Sequence, residues 1–198
     1  AYQWAFAIGS TGYDYGYAIA LDGVGNLYVS GQFAATVDFD PGAGTTTRTA
    51  ASADGFVARY STAGAFSWVA SFGGSSNDRA RAVAAGAGVV YVAGEFMGSN
   101  VDFDPGAGTA LRTSAGSQDV FLVRLDGTGA FQWVQTIGST GSDVAYGVAR
   151  GVISPNVYVT GQFAATVDFD PGAGTASRTS GGGSDAFVWA VGESAGGF

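Results

Sequence analysis

Residues 37–44 read Val-Asp-Phe-Asp-Pro-Gly-Ala-Gly, and the same eight residues return at 101–108 and 167–174 in the same sequence surroundings. Counted from the first aspartate of each copy, the steps are 64 and 66 residues. Three tryptophans keep a similar spacing, with steps of 64 and 65 residues: Trp4, Trp68 and Trp133. Self-similarity at a fixed period indicates one supersecondary unit copied along the chain. The sequence therefore predicts a single repeat domain over residues 1–198, with units at approximately 4–67, 68–132 and 133–198.

Each unit contains apolar stretches that are typical of β-strands and are separated by turn residues. The first is short and rich in small and β-branched residues, at 17–21, 81–85 and 146–150. The second alternates and then breaks at a glycine, at 26–33, 89–96 and 156–163. The third begins with an aspartate, at 54–60, 119–125 and 185–191. The fourth surrounds a tryptophan, at 66–72 and 131–137. The acidic segment and a Thr/Ser/Gly stretch are predicted to connect the second strand to the third.

Four antiparallel strands per unit, without helical periodicity anywhere, are typical of a β-propeller blade. We therefore predict an all-β fold of the β-propeller type, with three four-stranded antiparallel blades of about 65 residues. A β-sandwich is the main alternative, but it does not require a strict repeat. The third unit stops where its fourth strand would begin, whereas residues 1–9 align with the fourth strands of the other units. This offset predicts that a blade is completed by strand exchange, either between the chain ends or between copies.

Three blades are fewer than the usual four to eight. We therefore expect an assembly of copies, an arc of a longer protein, or a three-bladed ring. A head-to-tail contact closes into a ring if the rotation permits it and otherwise grows as a filament. The predicted partner is thus another copy of the chain, in a homo-oligomer or a head-to-tail assembly.

Composition and charge argue against several function classes. The net charge is −8, which disfavours nucleic acids and anionic membranes, because both need a cationic partner. No apolar run approaches the roughly 18 to 20 residues that cross a bilayer.

Histidine, cysteine and lysine are absent, which removes the usual general bases, thiol nucleophiles and Schiff-base formers. A paired-carboxylate glycosidase stays chemically open, but a site copied three times argues against one dedicated active centre. We predict that the chain is not an enzyme.

A longer pattern connects the chain to a known family. Residues 9–33 read GSTGYDYGYAIALDGVGNLYVSGQF, and VDFDPGAG, DGFVARY and GAFSW follow at 37–44, 54–60 and 64–68. This composite pattern resembles the bacterial SBBP repeat, a β-propeller repeat, and the resemblance covers essentially the whole chain. The second unit departs from the pattern where residues 85–88 replace the D-x-x-G-N turn, so that turn is not essential to the fold.

The resemblance implies a propeller of large secreted or surface-attached bacterial proteins, often present in many copies. It implies no known catalytic activity, and the ligands of the family are mostly undefined. We therefore expect an extracellular or cell-surface location and a structural, self-associating role. The alternative is an adhesin-like or lectin-like module that binds a glycan or a protein.

The acidic segment is the best candidate for chemistry. In an extended Val-Asp-Phe-Asp segment the side chains alternate, so that both aspartates project to the same side. The Pro-Gly turn that follows exposes carbonyl groups, and hard oxygen ligands of this kind suit calcium. Asp54 and its counterparts at 119 and 185 are candidates for a third carboxylate at the same loop. The predicted metal ligands are Asp38, Asp40, Asp102, Asp104, Asp168 and Asp170.

A structural alternative stands beside the calcium hypothesis. An arginine follows each second aspartate by eight residues, at Arg48, Arg112 and Arg178. A guanidinium fork can donate two hydrogen bonds to a carboxylate and neutralise the loop without a metal. Aspartate before Pro-Gly is also a common turn former that binds its own backbone. The sequence leaves open whether the arginines or a cation satisfy the aspartates.

Two further recurrences are interpreted as structural. Asp14, Asp78 and Asp143 precede the first strand of each unit, where a carboxylate can accept hydrogen bonds from backbone amides. The three tryptophans are expected to pack between blades. Aromatic rings at the mouth of a propeller can also stack on sugars, which is the basis of the lectin-like alternative.

Overall fold

The computed structural model describes residues 1–86, 88–151, 153 and 155–193. These residues contain thirteen β-strands and no helix, which confirms the prediction of an all-β antiparallel fold. No helix in the described part of the chain is long and apolar enough to span a membrane.

The first unit forms a four-stranded antiparallel sheet, sheet 1, in the order β1-β2-β3-β4. Its strands are β1 (Tyr15–Leu21), β2 (Asn26–Asp38), β3 (Thr47–Ser61) and β4 (Phe66–Phe72). All four predicted strands of this unit are present. The second and third strands are longer than predicted, because the Thr-rich stretch pairs with the acidic segment instead of looping away. Val37 lies opposite Arg48 and Asp38 opposite Thr47, and the hydroxyls of Thr36 and Thr49 lie 2.8 Å apart.

The second unit forms sheet 2, in the order β5-β6-β9-β10. The strands of this sheet are β5 (Arg79–Gly86), β6 (Val89–Phe96), β9 (Asp119–Asp126) and β10 (Phe131–Ile137). The unit also contains β7 (Val101–Asp102) and β8 (Leu111–Arg112), which pair with each other as a separate two-stranded sheet, and Asp102 forms a further bridge to Gly73. Strands β7 and β8 correspond to the paired ends of β2 and β3, since Val101 lies opposite Arg112 as Val37 lies opposite Arg48.

The third unit forms sheet 3, in the order β11-β12-β13. Its strands are β11 (Val144–Arg150), β12 (Asn156–Asp168) and β13 (Ser177–Gly192). Within the described residues this sheet has three strands, in line with the expectation that the third unit lacks a fourth strand of its own, and nothing there pairs with the outer edge of β13. Residues 1–14 form no strand, so among the described residues the exchange between the two ends of one chain does not occur. The sheets do not close into a ring.

The sheets stack face to face. We call the face that carries Phe33, Phe96 and Phe163 the front, and the opposite face, with Tyr28, Tyr91 and Tyr158, the back. The back of sheet 1 and the front of sheet 2 share one apolar cluster. The back of sheet 2 and the front of sheet 3 share a second. On the front of sheet 1, Phe6 and Ile8 from the amino-terminal segment cover part of a third cluster.

A repeated tryptophan contact marks each junction. Trp68 of β4 donates a hydrogen bond from Nε1 to the carbonyl oxygen of Gly127, which follows β9 of the next sheet, at 3.1 Å. Trp133 of β10 donates in the same way to Glu193 at 3.4 Å, and Trp4 donates to Thr62 at 3.1 Å. The three acceptors occupy equivalent positions after the third strand. Residues 1–9 therefore lie against sheet 1 as β4 lies against sheet 2.

Candidate functional site

The acidic segments form three equivalent closed loops. Val37 and Phe39 are fully buried, so the predicted alternation holds, and Asp38 on the other side is exposed. Each loop is closed by a backbone hydrogen bond from its phenylalanine: Phe39 to Thr46 at 3.0 Å, Phe103 to Ala110 at 3.3 Å and Phe169 to Ala176 at 3.4 Å. The loop is thus anchored by a buried aromatic ring and presents its carboxylates outward.

The first aspartate of each loop binds its own backbone. Oδ1 of Asp38 accepts hydrogen bonds from the amides of Asp40 at 3.1 Å and Thr46 at 2.8 Å. Asp102 and Asp168 accept the equivalent pairs of bonds. Because these bonds favour the ionised form, they lower the pKa of Asp168. One oxygen of each first aspartate is therefore committed to holding the loop closed.

The second aspartate forms a local turn. Oδ1 of Asp40 accepts a hydrogen bond from the amide of Gly42 at 2.8 Å, and the bonds from Gly106 to Asp104 and from Gly172 to Asp170 match it. This is the Asx turn expected of aspartate before Pro-Gly. A Cβ atom at Gly44 would clash with Oδ2 of Asp40. The glycine at the end of the segment therefore makes room for the carboxylate.

Of the two alternatives left open by the sequence, pairing of the loop aspartates with the arginines is not found among the described residues. Arg48 donates to the carbonyl oxygens of Thr47 at 2.9 Å and Val69 at 3.0 Å. Arg112 contacts Leu111 and Val134 in the same way, at 2.9 and 3.0 Å. The described ion pairs all use the two glutamates, Glu95 and Glu193. Because backbone amides already hold the aspartates, the guanidinium groups of Arg48 and Arg112 extend instead to the fourth strand of their own sheet.

Arg178 differs from its two counterparts. It donates to the carbonyl oxygen of Ser177 at 2.8 Å. The second acceptor of the other units, Val69 or Val134, lies in a fourth strand. Sheet 3 has no such strand among the described residues, so this half of the contact is not made there.

The expected third carboxylate does not reach the loop. Asp54 lies opposite Phe33, five positions from Asp38 along β2, which separates the two by roughly 16 Å at the rise of an extended strand. Burial and the nearby charge of Asp78 raise the pKa of Asp54 to about 7. Burial raises the pKa of Asp119, near Asp143, to about 6. In the described residues, no group of three or more acidic side chains is arranged to hold a metal ion.

The aspartates before each first strand act as backbone acceptors, as expected. Asp78 accepts from the amides of Gly74 at 2.9 Å and Met97 at 3.0 Å. Asp14 accepts from Ser10 at 2.6 Å and Ala34 at 3.0 Å, and Asp143 repeats this pattern. These side chains fix the connection between successive sheets.

An arginine-glutamate cluster was not predicted. Glu95 is fully buried and accepts hydrogen bonds from Arg79 at 3.0 Å and from Arg81 at 2.6 and 2.7 Å. The guanidinium of Arg81 lies 5.3 Å from the ring centre of Tyr17 and 5.6 Å from that of Tyr146. Such cation-π contacts stabilise the pair. The cluster therefore links the first strands of all three sheets.

The sequence contains a signal for this cluster. The Gly-Gln-Phe motif of the first and third units becomes Gly-Glu-Phe at Glu95, in the same unit in which Arg79 and Arg81 stand at the positions of Tyr15 and Tyr17. The glutamate and these two arginines occur together in the second unit alone. A charge of each sign introduced together indicates an ion pair.

Two surface depressions are also present. A groove of about 390 Å³ runs beside β13, next to the third acidic loop, and includes Phe169, Arg178 and Val188. A cleft of about 400 Å³ lies beside Tyr13 and Tyr15 and includes Gln32, Asn77 and Arg79. The two lie in different sheets, and each has both apolar and hydrogen-bonding walls.

Comparison of the sequence with models of known protein families and with curated proteins finds no match. The link to the SBBP repeat therefore depends on the motifs quoted above.

Proposed function

We propose that the chain is a non-enzymatic structural repeat protein of the bacterial surface, with three units that are propeller blades of the SBBP type and copies that associate head to tail. The surface location and the blade assignment follow from the motif resemblance. The exposed faces of sheets 1 and 3 support the association.

This proposal depends mainly on two exposed sheet faces, the back of sheet 3 and the front of sheet 1. Faces of the same two kinds pack against each other at both junctions inside the chain. On the back of sheet 3, Tyr158 is 38% and Val188 is 78% exposed, whereas Tyr28 and Tyr91, the counterparts of Tyr158, are buried. On the front of sheet 1, Ile19 is 71% exposed, whereas its counterpart Val83 is 7% exposed. Back-to-front stacking is the contact used at both internal junctions. The same contact between two copies would bury both open faces.

The chemistry of the described residues supports a structural role. The loop aspartates bind backbone amides, the arginines after them bind backbone carbonyls, and Glu95 is occupied by two arginines. Among these aspartates, arginines and Glu95, no side chain is positioned as a nucleophile beside a general base. We also propose that calcium binds the carboxylate oxygens that point outward from the acidic loops and so stabilises the fold.

Sedimentation velocity over a hundredfold range of protein concentration tests the association. We expect the average mass to rise with concentration, because the buried faces are apolar. Val188→Asp should suppress the association, since it places a charge on the back of sheet 3. Val24→Asp is the matched control, because Val24 is 83% exposed in a turn away from both faces. A wild-type chain that stays monomeric throughout contradicts the proposal.

A second function is favoured by one observation, the stack of tyrosine rings at the start of β1. The rings of Tyr13, Tyr15 and Tyr17 stack in parallel at centroid distances of 6.4 and 6.1 Å. Tyr13 and Tyr15 border the 400 Å³ cleft that contains Gln32 and Arg79. Exposed aromatic faces beside hydrogen-bonding groups are typical of small-ligand sites, and sugars are the class expected here. A glycan array with and without calcium, with Tyr13→Ala as the comparison, tests this, and a blank array contradicts it.

A further inference from the structure

We propose that residues 2–8 of one copy form the fourth strand of sheet 3 of a second copy, alongside β13. This inference depends on the proposed head-to-tail association and specifies the segment and the edge that make it. Two features of the described chain support this inference. The outer edge of β13 has no partner strand, and the amino-terminal segment has the sequence and the contacts of a fourth strand.

The first feature is the outer edge of β13. In sheet 1 the equivalent edge of β3 pairs with β4, and in sheet 2 the edge of β9 pairs with β10. The 390 Å³ groove lies along the corresponding edge of β13. In the other sheets Val69 and Val134 of the fourth strands pack into the clusters of Phe39 and Phe103. The groove is the space that such a residue would fill beside Phe169.

The second feature is the amino-terminal segment. Residues 2–9 read YQWAFAIG, against FSWVASFG at 66–73 and FQWVQTIG at 131–138. The segment also lies where a fourth strand lies. Trp4 makes the junction hydrogen bond to Thr62, and the ring of Phe6 lies 4.9 Å from that of Tyr60 on the front of sheet 1. Its own strand edges stay unpaired in the described residues, because residues 1–14 form no strand.

Joining the edge and the segment reproduces an existing junction. A fourth strand lies at the edge of its own sheet and also packs on the front of the next one. If the segment of a second copy pairs with β13, its contacts with sheet 1 of that second copy are already made. Sheet 1 of the second copy then follows sheet 3 of the first copy as sheet 2 follows sheet 1. The strand edge and the two open faces are therefore satisfied by one arrangement.

The internal register predicts the intermolecular pairs. Val69 lies opposite Ala58, Ala70 opposite Val57 and Phe72 opposite Gly55. Transferred to the third sheet, these positions place Ala5 opposite Trp189, Phe6 opposite Val188 and Ile8 opposite Ala186. Ala5 then occupies the position of Val69, so its carbonyl oxygen would accept the second hydrogen bond that Arg178 does not make among the described residues of its own chain.

Disulfide cross-linking tests this register, since the chain has no cysteine of its own. Ile8→Cys and Ala186→Cys are made as separate single variants, mixed and oxidised. We expect a disulfide-linked heterodimer, because directly opposed residues in antiparallel strands have the Cβ separation that a disulfide needs. The control is Ala7→Cys mixed with Ala186→Cys. It should not cross-link, because a shift of one residue points the side chain to the other face of the sheet.

A second variant reports on the same contact without a cysteine. Arg178→Ala should raise the dissociation constant of the assembly about tenfold, the loss expected for one charge-assisted hydrogen bond. If the chains associate but the Ile8→Cys and Ala186→Cys variants form no disulfide, this strand exchange is wrong and the proposed association is still supported. The same conclusion applies if the control pair cross-links equally well. A chain that never associates overturns both. A link formed within monomers of the double variant indicates self-closure and also overturns the inference.

Discussion

Arg48 donates a hydrogen bond from Nη2 to the carbonyl oxygen of Val69 at 3.0 Å. The bond ties the end of the β2-β3 hairpin, next to the acidic loop, to the strand on the far side of β3. The same tie recurs between Arg112 and Val134. A residue eight positions after an aspartate thus stabilises the sheet through a backbone carbonyl, and the carboxylate has no part in it.

The first prediction concerns this tie. Arg48→Ala should lower the free energy of unfolding by about 1–2 kcal/mol, the loss of a hydrogen bond from a charged donor. Urea denaturation at low protein concentration measures it. Arg178→Ala is the internal control, because Arg178 has no fourth-strand carbonyl to bind among the described residues of its own chain, and its change should stay within about 0.5 kcal/mol. Equal losses at the two positions would contradict the role assigned to Val69.

The second prediction concerns calcium at the acidic loops. A ligand that binds only the folded state adds stability, about 2.7 kcal/mol at one hundred times its dissociation constant. Millimolar calcium should therefore raise the Tm of the wild-type chain by several degrees. The comparison is the triple variant Asp40→Asn, Asp104→Asn and Asp170→Asn. Asparagine keeps the acceptor for the amide of the Pro-Gly turn and removes the charge.

In that triple variant the calcium response should disappear while the Tm in chelator stays near the wild-type value. Differential scanning calorimetry with calcium and with chelator measures both numbers. A wild-type chain with the same Tm in the two solutions contradicts the calcium hypothesis. A triple variant that still responds would place the cation elsewhere.

The third prediction concerns pH. Burial and the charge of Asp78 raise the pKa of Asp54 to about 7, against 3.8 for the ordinary group. The folded state therefore binds more protons than the unfolded state between about pH 4 and pH 7, so this group's contribution to stability falls as the pH rises through that window. Asp54→Asn should stabilise the chain at pH 8 by about 1–3 kcal/mol, after allowance for solvent screening.

At pH 4 the Asp54→Asn variant and the wild-type chain should melt alike, since the wild-type carboxyl is then protonated as well. Melting curves at several pH values between 4 and 8 measure the difference. Asp185→Asn, at the equivalent but exposed position in sheet 3, is the control and should not show this pH dependence. A stabilisation by Asp54→Asn that is the same at every pH would exclude proton linkage as its cause.

The strand pattern was predictable because it depends on local chemistry. Alternating residues around Tyr28 and the glycine after them identify a strand without any knowledge of its neighbours. The extension of β2 and β3 was not predictable in this way. Its arms are rich in threonine, alanine and serine, and their pairing depends on cross-strand contacts such as Thr36 with Thr49. The buried side chains of Val37 and Phe39 hold that hairpin in register.

In the candidate site, only the contacts between residues close together in the sequence were predictable. The Asx turn at Asp40 follows from its own sequence, Asp-Pro-Gly. The partner of Arg48 does not, because an offset of eight residues says nothing about which strand lies beside the guanidinium. Likewise, Asp54 starts a strand in the sequence, but only the register shows that it lies five positions from the acidic loop and close to Asp78.

The last prediction concerns Glu95, which two arginines contact within the protein interior. Glu95→Gln should destabilise the chain by about 2–4 kcal/mol, because removing one partner of a buried ion pair leaves the other charges uncompensated. The first unit provides the matched rescue. There, Gln32 stands in place of Glu95, and its Oε1 atom accepts hydrogen bonds from the hydroxyl of Tyr17 and from Nε of Arg79, both at 2.7 Å. The double variant Arg81→Tyr and Glu95→Gln reproduces this set of donors in sheet 2, keeps the bond from Arg79 to Gln32, and should recover most of the lost stability. Guanidinium chloride denaturation of the single and double variants measures both effects. If the double variant is no more stable than Glu95→Gln alone, uncompensated arginine charge is not the cause of the loss.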